Sequence, residues 1–280
     1  MQGVFGSTAK LPMLIAALPM YDFPELRADH DALWDAVSKY LVAAGVSGAP
    51  GHLTRNVGHA ETWGDPRLLL GQGCEYPLAK SFADTVRLVA SPCFVAPGCD
   101  GATYRSAIVV REDDPAATLA DLCQRRCVIN EADSNSGMNL LRATLAPLAK
   151  GRRFFQSVQH SGSHLRSAEM VGDGRADVAA LDCVSLAHFR RLYPSITAKL
   201  RILDWTVDSP SLPLITARGT TDDVLQKLRS SLSAVLADPA LKSVRERLLL
   251  ENFDVAPRDD YAVVLGLERR AAEQGYPVLA

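Results

Sequence analysis

The sequence predicts an α/β protein of about two domains, and three observations carry the prediction. At 280 residues the chain is roughly twice the usual domain length. Between residues 118 and 205 short apolar runs alternate with helical patterns, as in strand-helix-strand units around a parallel sheet. Within that stretch Ala176 to Leu181 is almost continuously apolar, the mark of a strand covered on both faces.

The elements follow in order. An apolar run from Leu11 to Leu18 predicts a strand that ends at Met20, Tyr21 and Asp22, and Pro24 opens a helix whose apolar positions are Leu33, Val37 and Leu41. Residues 45–64, rich in Gly, Pro and His, predict a loop. Leu68 to Leu70 is a brief strand, and Gly71, Gly73 and Pro77 place Cys74, Glu75 and Tyr76 on the loop after it. Val86 to Val95 and Tyr104 to Val110 are strands, with Pro97, Gly98 and Gly101 marking a domain boundary between them. Thr118 caps a short helix, Cys127 to Asn130 is a strand, and Ser134 to Gly137 leads into a helix through Leu148. Phe154 to Val158 predicts a strand, followed by a Ser/Gly loop and a helix from His164 to Val171 that Gly172 and Gly174 stop. Asp182 ends the apolar strand, a helix runs through His188 and Leu192, and Leu200 to Trp205 is a strand. Leu214 to Ala217 is an extended return, and helices are expected at 222–236, 239–250 and 259–274.

Composition excludes several functions. With 48% hydrophobic and 22% charged residues the chain is neither disordered nor fibrous. A net charge of -2 and 6% aromatics leave no footprint for nucleic acid. No run of eighteen uncharged apolar residues occurs, so no membrane insertion is expected. The apolar N-terminal stretch, broken by Pro12 and Pro19, does not have the form of a secretory leader; the expected location is periplasmic if a leader was removed and cytoplasmic otherwise. The six cysteines lack the spacing of metal or redox motifs, so no metal is expected; most should be buried thiols, with Cys93 and Cys99 the pair to expect if one forms. Signature loops for a nucleophile elbow, a nucleotide phosphate or a dinucleotide are absent, so no catalytic residue or cofactor is assigned.

What remains is a set of polar residues in loops beyond the C-terminal ends of strands, where open α/β sheets bind ligands. Ser134, Asn135, Ser136 and Gly137 lie at a helix start, where hydroxyls, backbone N–H groups and the helix dipole favour an anion, and Gly137 lets it approach the backbone. His164 occupies the corresponding place after the next strand. Asp182 either caps the helix that follows it or contacts a ligand.

S-x-S-G at Ser134 to Gly137, S-G-S-H at Ser161 to His164, the Gly174 to Asp182 segment and S-P-x-x-P at Ser209 to Pro213, in this order, resemble the phosphate/phosphonate-type periplasmic binding proteins of ABC transporters. The resemblance covers most of residues 11 to 250. It implies a type II periplasmic-binding fold with two lobes, 11–102 plus 218–280 and 103–217, hinged near 101–105 and 213–218. It implies a small anionic or zwitterionic solute held between the lobes and an ABC transporter permease as partner. On that template the Ser134 loop and His164 hold an oxyanion, Asp182 faces the cleft, and Tyr21 and Tyr76 reach in from the first lobe. Asn135 replaces a hydroxyl common in the family and Glu75 a glycine. Glu75 and Asp182 brought toward one cleft would favour a ligand with an ammonium group. Two other readings share the architecture: an enzyme resembling pyrimidine-precursor synthases, with a cleft histidine doing chemistry, and an effector domain resembling those of LysR-type regulators.

Overall fold

The computed structural model describes residues 13–255 and 261–280; the start of the expected first strand and of the last helix lie outside them. Strand β1 (Ile15–Ala17) leads through a 3-10 turn at Pro24–Leu26 into helix α1 (Arg27–Ala43). Pro24 stands where a helix has no use for an N–H, and Leu33, Trp34, Val37 and Leu41 bury one face. Helix α2 (His59–Gly64), strand β2 (Leu68–Gln72), helix α3 (Glu75–Ser81) and the long strand β3 (Val86–Phe94) follow. Both short helices fall where the sequence predicts loops. Pro77 does not prevent α3 because it is the third residue of the helix, where its missing N–H costs no helical bond.

The chain then forms a small hairpin, β4 (Cys99–Asp100) and β5 (Thr103–Tyr104), and enters β6 (Ser106–Arg111) and β7 (Arg126–Ile129). A π-helical turn at Asn135–Asn139 continues into α4 (Leu140–Ala149); then come β8 (Ser157–His160), α5 (His164–Gly172), β9 (Val178–Asp182), α6 (Cys183–Leu192), α7 (Pro194–Thr197) and β10 (Leu200–Trp205). The return passes through β11 (Ser209–Pro210) to β12 (Leu214–Ala217), α8 (Asp222–Ala237), α9 (Lys242–Arg247), β13 (Leu250–Asp254) and α10 (Val263–Glu273).

Two five-stranded sheets result, ordered β1-β2-β12-β3-β13 and β10-β6-β9-β7-β8. In the first, β1, β2 and β3 run one way and β12 and β13 the other; in the second only β6 is reversed. The two passages between the sheets lie side by side, because β5 and β11 pair through Tyr104 with Ser209 and Thr103 with Pro210. Each sheet has its own core, around Trp34, Leu70 and Val89 in the first lobe and Ile108, Cys127 and Val178 in the second.

Three expectations are corrected. Residues 239–250 hold only a 3-10 turn and the six-residue α9; at Leu249 the backbone turns left-handed (φ 57°), and β13 pairs antiparallel with β3, burying Leu250 on the first core. Sheet pairing outweighs helix propensity there. Helices α8 and α9 pack on the first sheet, but α10 joins the second: Val264 and Ala271, with Tyr276 and Leu279, share the core of Leu141 and Phe155. Asn139 Nδ2 donates to the Val264 carbonyl and Arg142 to that of Pro277, so α4 holds this segment. Cys99 faces Cys183 rather than Cys93, with the sulfurs 3.3 Å apart. The turn that swings Cys99 there needs Gly98 (φ 102°), where a Cβ would strike the Trp205 ring at 2.5 Å.

Candidate functional site

A cleft of about 510 Å³ lies between the lobes. Its second-lobe face is built from helix starts. Ser134, Ser163 and Asp182 each end a strand-to-helix loop, each lines the cleft, and each caps its helix: Ser134 Oγ accepts from the Gly137 N–H (3.0 Å), Ser163 Oγ from Arg166 (3.2 Å) and Asp182 Oδ1 from Ser185 (2.7 Å). Three helix N-termini therefore direct their positive ends at one space. The π-helical turn after Ser134, closed by the Asn139 N–H on the Ser134 carbonyl, widens the first turn of the α4 segment.

Ser136 and His164 meet in this space, Oγ to Nε2 at 2.8 Å. Burial drives the His164 pKa down to about 4, so the imidazole is neutral at pH 7, and its Nδ1 is buried with no hydrogen-bond partner. Ser134 Oγ lies 3.4 Å from Ser136 Oγ. Among the described residues no Lys or Arg lines the cleft. An anion here would be held by hydroxyls, an imidazole and helix dipoles, with no formal positive charge.

From the first lobe Tyr21 reaches in and donates to Asp182 Oδ2 (3.1 Å). Asp182 is 2% exposed, and burial raises its pKa against the opposing pull of the Ser185 and Tyr21 bonds. The structure shows the helix cap, and it sets the same carboxyl group in the cleft lining. Met20, Phe23, His59, Trp63, Pro77 and Phe82 complete the first-lobe wall, which is largely aromatic.

Four expected site residues do not line the cavity. Asn135 is fully buried and turned into the crossover, its Nδ2 donating to Tyr104 Oη (3.2 Å) and Ser209 Oγ (2.8 Å) and its Oδ1 accepting from Asn139. Gly137 is needed by a neighbour, since a Cβ there would come within 1.8 Å of Asn130 Oδ1. Tyr76 is carried by α3 into the second-lobe core, where its hydroxyl accepts from Lys80. Glu75, the first residue of α3, is wholly buried with both oxygens unpartnered, and burial, reinforced by Asp182, raises its pKa well above the ordinary value. It lies behind the cleft, outside its lining, and does not form a carboxylate pair across it with Asp182.

Sequence reasoning missed Asn130, which follows the last residue of β7 and lines the cleft with an unpartnered Oδ1, although its place just past a strand end is the signal that singled out Asp182. His59, Trp63 and Phe82 gave no such signal.

Residues 73–261 match the family of periplasmic substrate-binding proteins of ABC phosphonate transporters. The chain belongs to that family. As a phosphonate-type substrate-binding protein it binds its ligand without transforming it, and the enzyme reading falls away. No curated protein sequence matches it significantly. Solved structures share the fold at low identity. The complex of PhnD1 from Prochlorococcus marinus with methylphosphonate is 15% identical with a TM-score of 0.74, over 93% of this chain and 98% of that one. A phosphonate-transporter binding protein from Pseudomonas aeruginosa is 16% identical with a TM-score of 0.72, over 94% and 87%. XAC2383 from Xanthomonas citri, bound to ATP, is 17% identical with a TM-score of 0.70, over 94% and 98%. These neighbours place the chain among two-lobed binding proteins.

Proposed function

We propose that this chain captures a small phosphonate-like oxyanion, anionic or zwitterionic, between its lobes and presents it to an ABC transporter permease. The observation that supports this most is the Ser136–His164 pair, set among the capped starts of α4, α5 and α6 inside the cleft. In this reading Ser134, Ser136 and His164 hold the oxyanion, and Asp182, bonded by Tyr21, lines the cleft beside them. The paired strands β5 and β11 form part of the hinge about which the lobes close, since both connections between the two sheets pass there, and the chain crosses once more between β13 and α10. The methylphosphonate held by the Prochlorococcus neighbour gives the first ligand to try.

Titration calorimetry with methylphosphonate should give saturable binding with one site per chain. At 100 times the dissociation constant the ligand should add about 2.7 kcal/mol of stability, read as a higher Tm. Absence of both heat and thermal shift with methylphosphonate and inorganic phosphate would overturn the proposal.

A further inference from the structure

The cleft carries more acidic groups than a bare phosphonate answers. Among the described residues it is lined by Glu131, Asp133 and Asp182 and by no Lys or Arg, while the oxyanion end is served by neutral groups.

The carboxylates and the aromatic wall come together at one place. His59, on α2, stacks on Trp63 with ring centres 5.6 Å apart and planes 19° from parallel, and Phe82 meets Trp63 edge-on at 5.5 Å. Glu131 and Asp133, exposed on the loop after β7, line the same cavity as this aromatic cluster. Burial nevertheless lowers the His59 pKa, so the histidine does not itself neutralise them. Aromatic rings beside carboxylates suit a weakly hydrated cation: the carboxylates supply charge, and the ring systems supply cation–π attraction without hydrogen bonds. A primary ammonium has three N–H donors to satisfy, and an uncharged apolar group would leave the carboxylates unanswered.

Resting on the reading of the cleft as a phosphonate-type site, we infer that the far end of the ligand is a quaternary ammonium group, seated between Glu131 and Asp133 on one side and His59, Trp63 and Phe82 on the other.

Three matched probes test this: ethylphosphonates carrying at carbon 2 a trimethylammonium, a primary ammonium or a tert-butyl group, with methylphosphonate as reference. Calorimetry should show the trimethylammonium compound binding about tenfold tighter than each of the other two. In the Glu131→Gln/Asp133→Asn double variant its advantage over the tert-butyl compound should collapse toward one, and Phe82→Leu should narrow its advantage over the primary amine. A tert-butyl compound that binds as tightly would show the wall to be merely apolar, and a primary amine that binds as tightly would show an ordinary amine subsite. Either result, or an unchanged ratio in the double variant, overturns the inference. If methylphosphonate binds and the three probes rank flat, only this inference falls; if nothing binds, the reading of the site falls with it.

Discussion

The two faces of the cleft are made by different means. The second lobe presents Ser134, Ser163 and Asp182, each fixed by a hydrogen bond to the helix it caps, so its polar groups are oriented by backbone. The first lobe presents Phe23, His59, Trp63 and Phe82, fixed by ring contacts and packing. Backbone-fixed dipoles suit a group whose geometry and charge are constant, such as an oxyanion.

Substitutions at the polar face should produce the largest effects. Ser136→Ala removes a hydroxyl that caps no helix, and a hydrogen bond to a charged group is worth roughly 1.5 to 3 kcal/mol, so methylphosphonate affinity should fall about tenfold to a hundredfold with little change in Tm. Ser134→Ala should weaken binding similarly and also lower stability by about 1 kcal/mol, because Ser134 Oγ holds the Gly137 N–H. Unchanged affinity in both variants, measured by calorimetry, would reduce this face to capped helices.

A smaller effect is expected behind the cleft. The Glu75 pKa in the folded chain is raised well above its ordinary value of 4.5 by burial, so above that pH the folded state holds a proton that the unfolded state releases. The stability this residue contributes is present below about that pH and is lost as pH rises. His164 and His188, both lowered to about 4 by burial, act in the opposite sense and cost stability as pH falls below the ordinary imidazole value of 6.5. Glu75→Gln should raise Tm at pH 8, with the gain shrinking toward pH 4.5, while the loss of stability on the acid side persists. A variant whose Tm follows the wild-type pH profile throughout would place Glu75 outside this role.

The same contrast explains what could be read from sequence. The polar face was legible because its signals are local: an apolar strand such as Val178–Leu181, a short polar residue at its end, and a helical pattern after it. Asn130, just past the end of β7, follows the rule that picked out Asp182. The aromatic wall was not legible, because α2 lies in a Gly/Pro/His-rich stretch and Trp63 becomes part of the site only when β2 and α3 pack beside it. Glu75 and Tyr76 were misplaced for a related reason. As a loop they would reach the cleft, but as the first turn of α3 they are carried into the interior. The strand β13 and the transfer of α10 to the second lobe depend on partners far away in the chain, β3 and α4, to which no local pattern points.

Anomalous scattering from a crystal grown with methylarsonate, an arsenic counterpart of methylphosphonate, locates the anion most directly. One arsenic peak should lie within hydrogen-bonding range, through its oxygens, of Ser134 Oγ, Ser136 Oγ and His164 Nε2. A fully occupied peak elsewhere, with the space between Ser136 and His164 filled only by water, would contradict the assignment of this face as the oxyanion anchor.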